Sequence, residues 1–327
     1  MPPIILTVDV EDYFQVSAFE RRVHRDDWDS IPGRVESSTE LLLQMFADAG
    51  VQGTFFVLGW VAAKYPPLVR RIADEGHELA SHSYWHRLVY SLTPDEFRHD
   101  LRASRDAIGQ ASGVEVTAFR APSFSITNRS LWALDVLVDE GFTVDSSIFP
   151  MRHDRYGIAD ARGDIHERVC PGGSIVEVPP SVWRRRRGAV PVGGGYFRLL
   201  PLRLTRQAIR GVQATGSPAM FYTHPWEFDP NQPRIKGIGP ATRFRHYVGL
   251  RRTRQRMTAL LRELPFAPMR DVLAREETIA KAKTTAKKAP EASVGERSAP
   301  SSPRTVTDAG VPSAPARSPL ATFTDER

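Results

Sequence analysis

The sequence predicts an α/β fold built on a parallel sheet. Two observations carry that prediction. Short apolar runs alternate with helical periodicity from the first residues onward. Polar residues suited to chemistry stand at the ends of those runs, where the strands of a parallel sheet open onto one face. About seven such strands suggest a barrel, imperfect or open, with a doubly wound sheet as the alternative.

Residues 4–8 (IILTV) form a continuous apolar strand. A helix follows near residue 37, where Ser37 and Glu40 have capping-box spacing and Gly50 closes the element. Residues 54–59 (TFFVLG) are the next strand. Pro66 and Pro67 open a second helix that ends at Gly76. The run HELA, residues 77–80, leads to His82 and His86. Thr93, Pro94 and Glu96 start a capped helix with Phe97, Leu101 and Ile108 on one face. VTAF (116–119) runs into Arg120, a helix around 131–140 ends at Gly141, and FTV (142–144) follows. IVEV (175–178) and AMFYT (219–223) are the last clear strands. From about residue 241 one basic amphipathic helix is expected to pack on the domain through Val248, Leu250, Met257, Leu260 and Leu261, with a membrane-surface role as the alternative. The Ala, Pro, Ser and Lys composition from 277 predicts a disordered tail, 277–327, after a folded domain at 1–276.

The chain of 327 residues, 41% hydrophobic, can bury a large core. No run of about 18 apolar residues predicts a transmembrane helix, and the start MPPIILTVDVEDYF reads as a strand rather than a signal peptide, so the cytoplasm is expected. Peripheral membrane association stays open. Cys170 is the single cysteine, which excludes an internal disulfide; its loop setting beside Pro171 and Gly172 argues against a nucleophile. The formal charge of +6 is uneven, since eight Lys/Arg against five Asp/Glu lie from Lys281 onward. The run Arg184 to Arg187 reads as a solvated loop, and no basic stripe interleaved with aromatics points to nucleic acid.

The strand ends carry Asp9, Glu11 and Asp12, then His82 and His86, Arg120, Asp145 and His224. His82 and His86 with a carboxylate make a workable set for zinc or another divalent ion, with positions left open for water and substrate. Asp9 and Glu11 share one face of a strand, and Asp9 can act as the base on water. Spacing leaves open whether Glu11 or Asp12 is the ligand. Arg120 can pair with Asp9 and keep it ionised. His224 is the candidate general acid, and Asp145 is the candidate carboxylate to hold it.

Taken together, LTVDVED, SHSYWH, FRAPSF, VDSS and FYTHP resemble, in order, the motifs of the polysaccharide deacetylases, the NodB-homology or carbohydrate esterase family 4 enzymes. The resemblance covers roughly residues 1–230. It implies a distorted (β/α)7 barrel, Asp9 as base, His82 and His86 as metal ligands, Arg120 and Asp145 in support and His224 as acid. The string DVED departs from the family's adjacent aspartates and puts the carboxylate ligand in doubt. It is similar to a subgroup with separated acids, including allantoinase-like members. DVEDYFQVSAF, GGGYFRLLP and HPWEFDP look closer to the branch found with exosortase/PEP-CTERM exopolysaccharide systems of Gram-negative bacteria, whose extra region would span about 150–276. The implied reaction is metal-dependent N-deacetylation of an amino sugar in a polysaccharide or its precursor, with an N-acetylated glycan as the partner. That reaction implies an oxyanion held by the metal and by a backbone N–H near Ser123, which stands where the family has an aromatic residue after the proline. Trp85, Phe124 and Trp226 are candidate sugar-stacking surfaces or core residues in equal measure. A hydrolase of small non-sugar amides and a catalytically silent glycan-binding module are the competing functions.

Overall fold

The computed structural model describes residues 2–153, 155–186 and 188–288. In chain order the elements are β1 (Ile4–Val10), α1 (Val35–Ala49), β2 (Thr54–Val57), α2 (Gly59–Lys64), α3 (Pro66–Asp74), β3 (Glu78–Ser81), α4 (Pro94–Ser112), β4 (Ala118–Phe119), α5 (Trp132–Asp139) and β5 (Val144–Asp145). After these come β6 (His166–Cys170), β7 (Gly173–Glu177), β8 (Val182–Arg185), β9 (Gly188–Pro191), α6 (Gly194–Leu199), α7 (Leu202–Gln213), β10 (Ala219–Thr223), α8 (Pro240–Tyr247), α9 (Leu250–Glu263), β11 (Phe266–Ala267) and α10 (Met269–Lys288).

The main sheet runs β10-β1-β2-β3-β4-β5-β7-β6, and every neighbouring pair up to β7 is parallel. Only β6, which pairs with β7, is antiparallel. No ladder joins β7 to β10 among the described residues. Instead the Met220 N–H donates to the Ser181 hydroxyl at 2.7 Å, and Gly193 bridges Tyr222. The α/β class holds, in the form of a barrel whose last seam is irregular.

Strand alternation sorts β1 into two faces. Ile4, Leu6, Val8 and Val10 pack outward in the large cluster with Leu42, Phe46 and Leu260. Ile5 joins Phe56, Ala80, Met220 and Met269 in a separate cluster inside. Asp9 has the parity of Ile5, so the strand presents its carboxylate to the interior. Burial on both faces explains the unbroken apolar run.

Four local expectations change. The capping box at Thr93 and Glu96 forms as predicted, but the one at Ser37 and Glu40 does not. Helix α1 begins at Val35, because Asp12 Oδ2 accepts from the Arg34 and Val35 N–H groups at 2.6 and 2.9 Å. That contact over 22 residues is invisible to local patterning. The expected helix after 241 is two, α8 and α9, broken at Gly249 with φ +75°. α6, α7 and the β8–β9 hairpin were not anticipated. The composition change at 277 does not end α10, which continues to Lys288; residues 289–327 of the expected tail lie outside the described residues. Ala, Lys and Glu are good helix formers, and Glu277 pairs with Lys281 one turn on.

Within the arginine run, Arg184 donates to the carbonyls of Pro150 and Ala159 and Arg185 lies over Trp183, so these two tie down neighbouring segments. Arg187 lies outside the described residues. No described helix is long and apolar enough to cross a membrane.

Candidate active site

Asp9, Glu11, His82, His86 and His224 meet at the floor of one cavity of about 430 Å3. Arg120 lies beneath them, fully buried. Its Nη1 donates to Asp9 Oδ1 at 2.6 Å and to the Thr7 hydroxyl at 2.8 Å. Its Nη2 donates to the Ser146 hydroxyl at 2.9 Å, and its guanidinium lies 4.0 Å from the centre of the Phe56 ring. The planar fork therefore fixes Asp9 through one oxygen and leaves Oδ2 to the cavity.

Glu11, His82 and His86 each offer a ligand atom within 4.8 Å of the others. His82 Nδ1 donates to the Arg120 carbonyl at 2.8 Å, which fixes the tautomer and leaves Nε2 with a free lone pair. Burial holds the His82 imidazole down at about 4, so it is neutral at pH 7. Glu11 Oε2 stands 2.6 Å from His86 Nε2, yet it is buried and has no aligned hydrogen-bond partner. Burial opposes the Glu11 charge, but His86, His224 and His82 outweigh it and hold the carboxyl well below its usual range. Glu11 Oε1 accepts from the Trp226 indole N–H at 3.0 Å. One carboxylate and two imidazoles, with an orphaned carboxylate oxygen among them, fit a divalent transition ion.

The structure separates the two carboxylates that spacing left open. Asp12 takes the Tyr13 N–H on Oδ1 and the start of α1 on Oδ2, so its oxygens serve as a helix cap. Asp12 is outside the three-residue cluster. Period two explains this: Glu11 continues the inward face of β1 and Asp12 turns away.

His224 follows β10. Its Nε2 is 3.7 Å from Asp9 Oδ2 and 3.8 Å from Glu11 Oε1. The carboxylate at its Nδ1 is Glu227, at 3.6 Å, and not Asp145. That corrects the expected pairing. Asp145 instead takes the Ser147 hydroxyl at 2.5 Å and is hydrogen-bonded to Glu177. β5 lies behind β7 and the irregular seam, so its carboxylate does not reach the His224 ring. Burial lowers the His224 pKa, but Glu227, Glu11 and Asp9 together outweigh it and raise it to about 9. At 3.6 Å the Glu227 contact is one of charge rather than an aligned hydrogen bond.

Ser123 and Phe124 line the cavity with φ +52° each, and the Ser123 and Ser17 hydroxyls bond at 2.7 Å. The positive-φ non-glycine residues among those described are Ser83, His86, Ser123 and Phe124, on the two loops that frame the site. Such strain is maintained where surrounding contacts over-determine the backbone. Trp85 is not in the cavity: the Tyr84 and Trp85 N–H groups bind Asp100, and the Trp85 ring lies on Trp28 at 37% exposure. Trp226 does line the cavity, but its N–H holds Glu11 and its ring stacks with His224 and His246. Patterning did not single out Glu227, Arg198, Tyr196 or Phe244. Their only signal was membership of GGGYFRLLP, HPWEFDP and the basic helix.

The model for polysaccharide deacetylase matches residues 26–139, and one for a domain of unknown function (DUF3473) matches residues 146–274. A peptidoglycan-N-acetylglucosamine deacetylase of Bacillus cereus is 32% identical over 98 residues, 30% of this chain and 36% of that protein. A chitooligosaccharide deacetylase of Sinorhizobium fredii is 30% identical over 143 residues, 42% of this chain and 64% of that one. The chain thus spans less than two thirds of the length of these curated relatives. A solved structure from Mycobacterium smegmatis, a polysaccharide deacetylase candidate, shares the fold over 90% of this chain and 94% of its own, with a TM-score of 0.56 and 20% identity. Residues 26–139 thus match the polysaccharide deacetylase family model, the named relatives are similar to this chain over part of its length, and the fold is shared with the Mycobacterium smegmatis structure over most of it.

Proposed function

We propose that this protein is a metal-dependent deacetylase that hydrolyses the N-acetyl group of an amino sugar in a polysaccharide or its precursor, with a role in exopolysaccharide synthesis. The observation that carries this reading is the Glu11–His82–His86 cluster between the Asp9–Arg120 pair and His224. Glu11, His82 and His86 would hold a divalent ion such as zinc, which would supply Lewis acidity toward the amide carbonyl and a lowered pKa for water.

Asp9, its other oxygen held by Arg120, accepts a proton from the attacking water at Oδ2. Ser123 is assigned to the developing oxyanion through its backbone N–H. His224 Nε2 donates a proton to the departing nitrogen as the C–N bond breaks, leaving acetate and a free amine. Asp9 and His224 end with one proton gained and one lost, and exchange with solvent restores both. Tyr90, Phe124, Tyr196 and Phe244 wall the cavity and give the sugar apolar faces.

The test is acetate release from N-acetylglucosamine oligomers and peptidoglycan fragments by zinc-loaded protein, beside Asp9→Asn and His224→Ala. Release that falls by about 100-fold or more in both variants is expected. A zinc-loaded protein that releases acetate from no glycan sinks this reading. Activity on ureides would then favour a small-amide hydrolase, and glycan binding without turnover a silent module.

A further inference from the structure

His224 Nδ1 is buried and has no aligned hydrogen-bond partner among the described residues, yet it faces a carboxylate built in with care. Glu227 is fully buried. Its Oε2 accepts from the Thr223 hydroxyl at 2.7 Å and from the His224 backbone N–H at 3.4 Å. Its Oε1 accepts from Arg198 Nε at 3.0 Å and lies 3.6 Å from His224 Nδ1. Arg198, also buried, directs its other donors to backbone: Nη1 to the His246 and Val248 carbonyls at 2.6 and 2.9 Å, Nη2 to the Arg245 carbonyl at 3.2 Å. These are carbonyls that the end of α8 leaves without helical partners. Arg198 therefore ends α8 with one side of its fork and grips Glu227 with the other.

The backbone nearby is shaped to bring Arg198 in. Gly194 has φ +49°, and a Cβ there would come within 2.5 Å of the Tyr222 ring. Only glycine lets the start of α6 lie this close to β10. Gly249, with φ +75°, faces the Arg198 carbonyl where a Cβ would collide. A buried carboxylate is costly unless it is paired and hydrogen-bonded. If the Arg198–Glu227 pair served only to stop α8, Glu227 would have no need to share its oxygen with an imidazole otherwise lacking a partner on that nitrogen.

We propose that Glu227, clamped by Arg198, is the residue that orients the His224 imidazole, so that the segment matching the domain of unknown function completes the active site from behind. The proposal rests on the reading of His224 as proton donor. A slight rotation closes the 3.6 Å gap, as loosely aligned catalytic contacts tighten around substrate.

The experiment has two arms, both on zinc-loaded full-length protein. In the first, Glu227→Gln lowers kcat on an N-acetylglucosamine oligomer by about 100-fold or more while KM and zinc stoichiometry stay within about threefold. The double variant Arg198→Met/Glu227→Gln, which leaves no lone buried charge, shows the same loss. Unchanged kcat in both, or zinc lost along with activity in both, overturns the proposal. In the second arm, proton NMR follows the downfield Nδ1 proton of His224, identified by its disappearance in His224→Ala. The signal is present in wild type and Asp145→Asn and absent in Glu227→Gln. Its absence from wild type, or its survival in Glu227→Gln, overturns the proposal. This arm needs no turnover, so a protein that deacetylates no glycan refutes the functional reading while the role of Glu227 is still decided.

Discussion

Replacing Arg120 by methionine tests how the site is supported from below. The side chain has 0% exposure and holds Asp9 at 2.6 Å, Thr7 at 2.8 Å and the Ser146 hydroxyl at 2.9 Å. Methionine fills much of the volume against Phe56 and Met220 but donates no hydrogen bond. Asp9 is then a buried carboxylate without its cation. Breaking a buried pair from one side costs about 3–5 kcal/mol. With a urea slope of about 3 kcal/mol/M, the midpoint falls by about 1–1.7 M. Asp9→Asn alone leaves the guanidinium without its carboxylate and is also destabilising. The double variant removes both charges, so its loss falls short of the sum of the singles by about 2–3 kcal/mol. Urea unfolding of all four proteins, followed by tryptophan fluorescence, gives the cycle. A loss below about 1 kcal/mol in Arg120→Met, or strict additivity in the double variant, would refute the argument that this pair carries its own desolvation.

Other consequences follow from the same geometry. Asp12→Ala, by removing the acceptor for the Arg34 and Val35 N–H groups, should cost about 1–2 kcal/mol while zinc stoichiometry is kept; Glu11→Gln should show the reverse, which equilibrium dialysis checks. Trp226→Phe removes the indole donor to Glu11 Oε1 and should weaken zinc binding by about 10-fold in a competition titration with a chelator. Burial and the neighbouring Asp145 charge raise the Glu177 carboxyl well above its ordinary value. For an acid raised on folding, the associated stability is full below the unfolded pKa near 4.5 and is lost as pH rises through the folded value. The urea midpoint should therefore decline as pH rises above the unfolded value near 4.5, and Glu177→Gln should flatten that decline. Gly194→Ala, at φ +49° and against the Tyr222 ring, should destabilise by about 1–3 kcal/mol in thermal unfolding.

The class of fold was legible because period and composition act locally. IILTV, TFFV and AMFYT are apolar throughout because each strand is buried on both faces, and that pattern exists before any tertiary contact forms. The end of a strand is likewise a local property. Asp9, His82, Arg120 and His224 could thus be placed at one face from their positions alone; the cavity gathers Asp9, His82 and His224, and Arg120 lies beneath, bonded to Asp9. The Thr93–Glu96 cap formed as read because all its atoms lie within four residues.

What was misjudged at the site depended on a partner far along the chain, whereas the run of α10 past 277 follows from local helix propensity and the one-turn Glu277–Lys281 pair. Period two could pair Asp9 with Glu11, but only the 22-residue reach from Asp12 to the start of α1 shows which acid is occupied elsewhere. The same contact moved the helix start from Ser37 to Val35. Asp145 ends a strand as expected, yet strand order puts β7 and an irregular seam between it and His224, and order is not encoded in any local run. The break at Gly249 depends on Arg198, about 50 residues earlier, taking the carbonyls at the end of α8. By itself, then, the sequence determined which residue types stand at strand ends, since burial and backbone period are short-range. Which carboxylate meets which histidine was decided only by tertiary structure, because a buried charge is held in place by whichever partner the packing brings within about 3–4 Å.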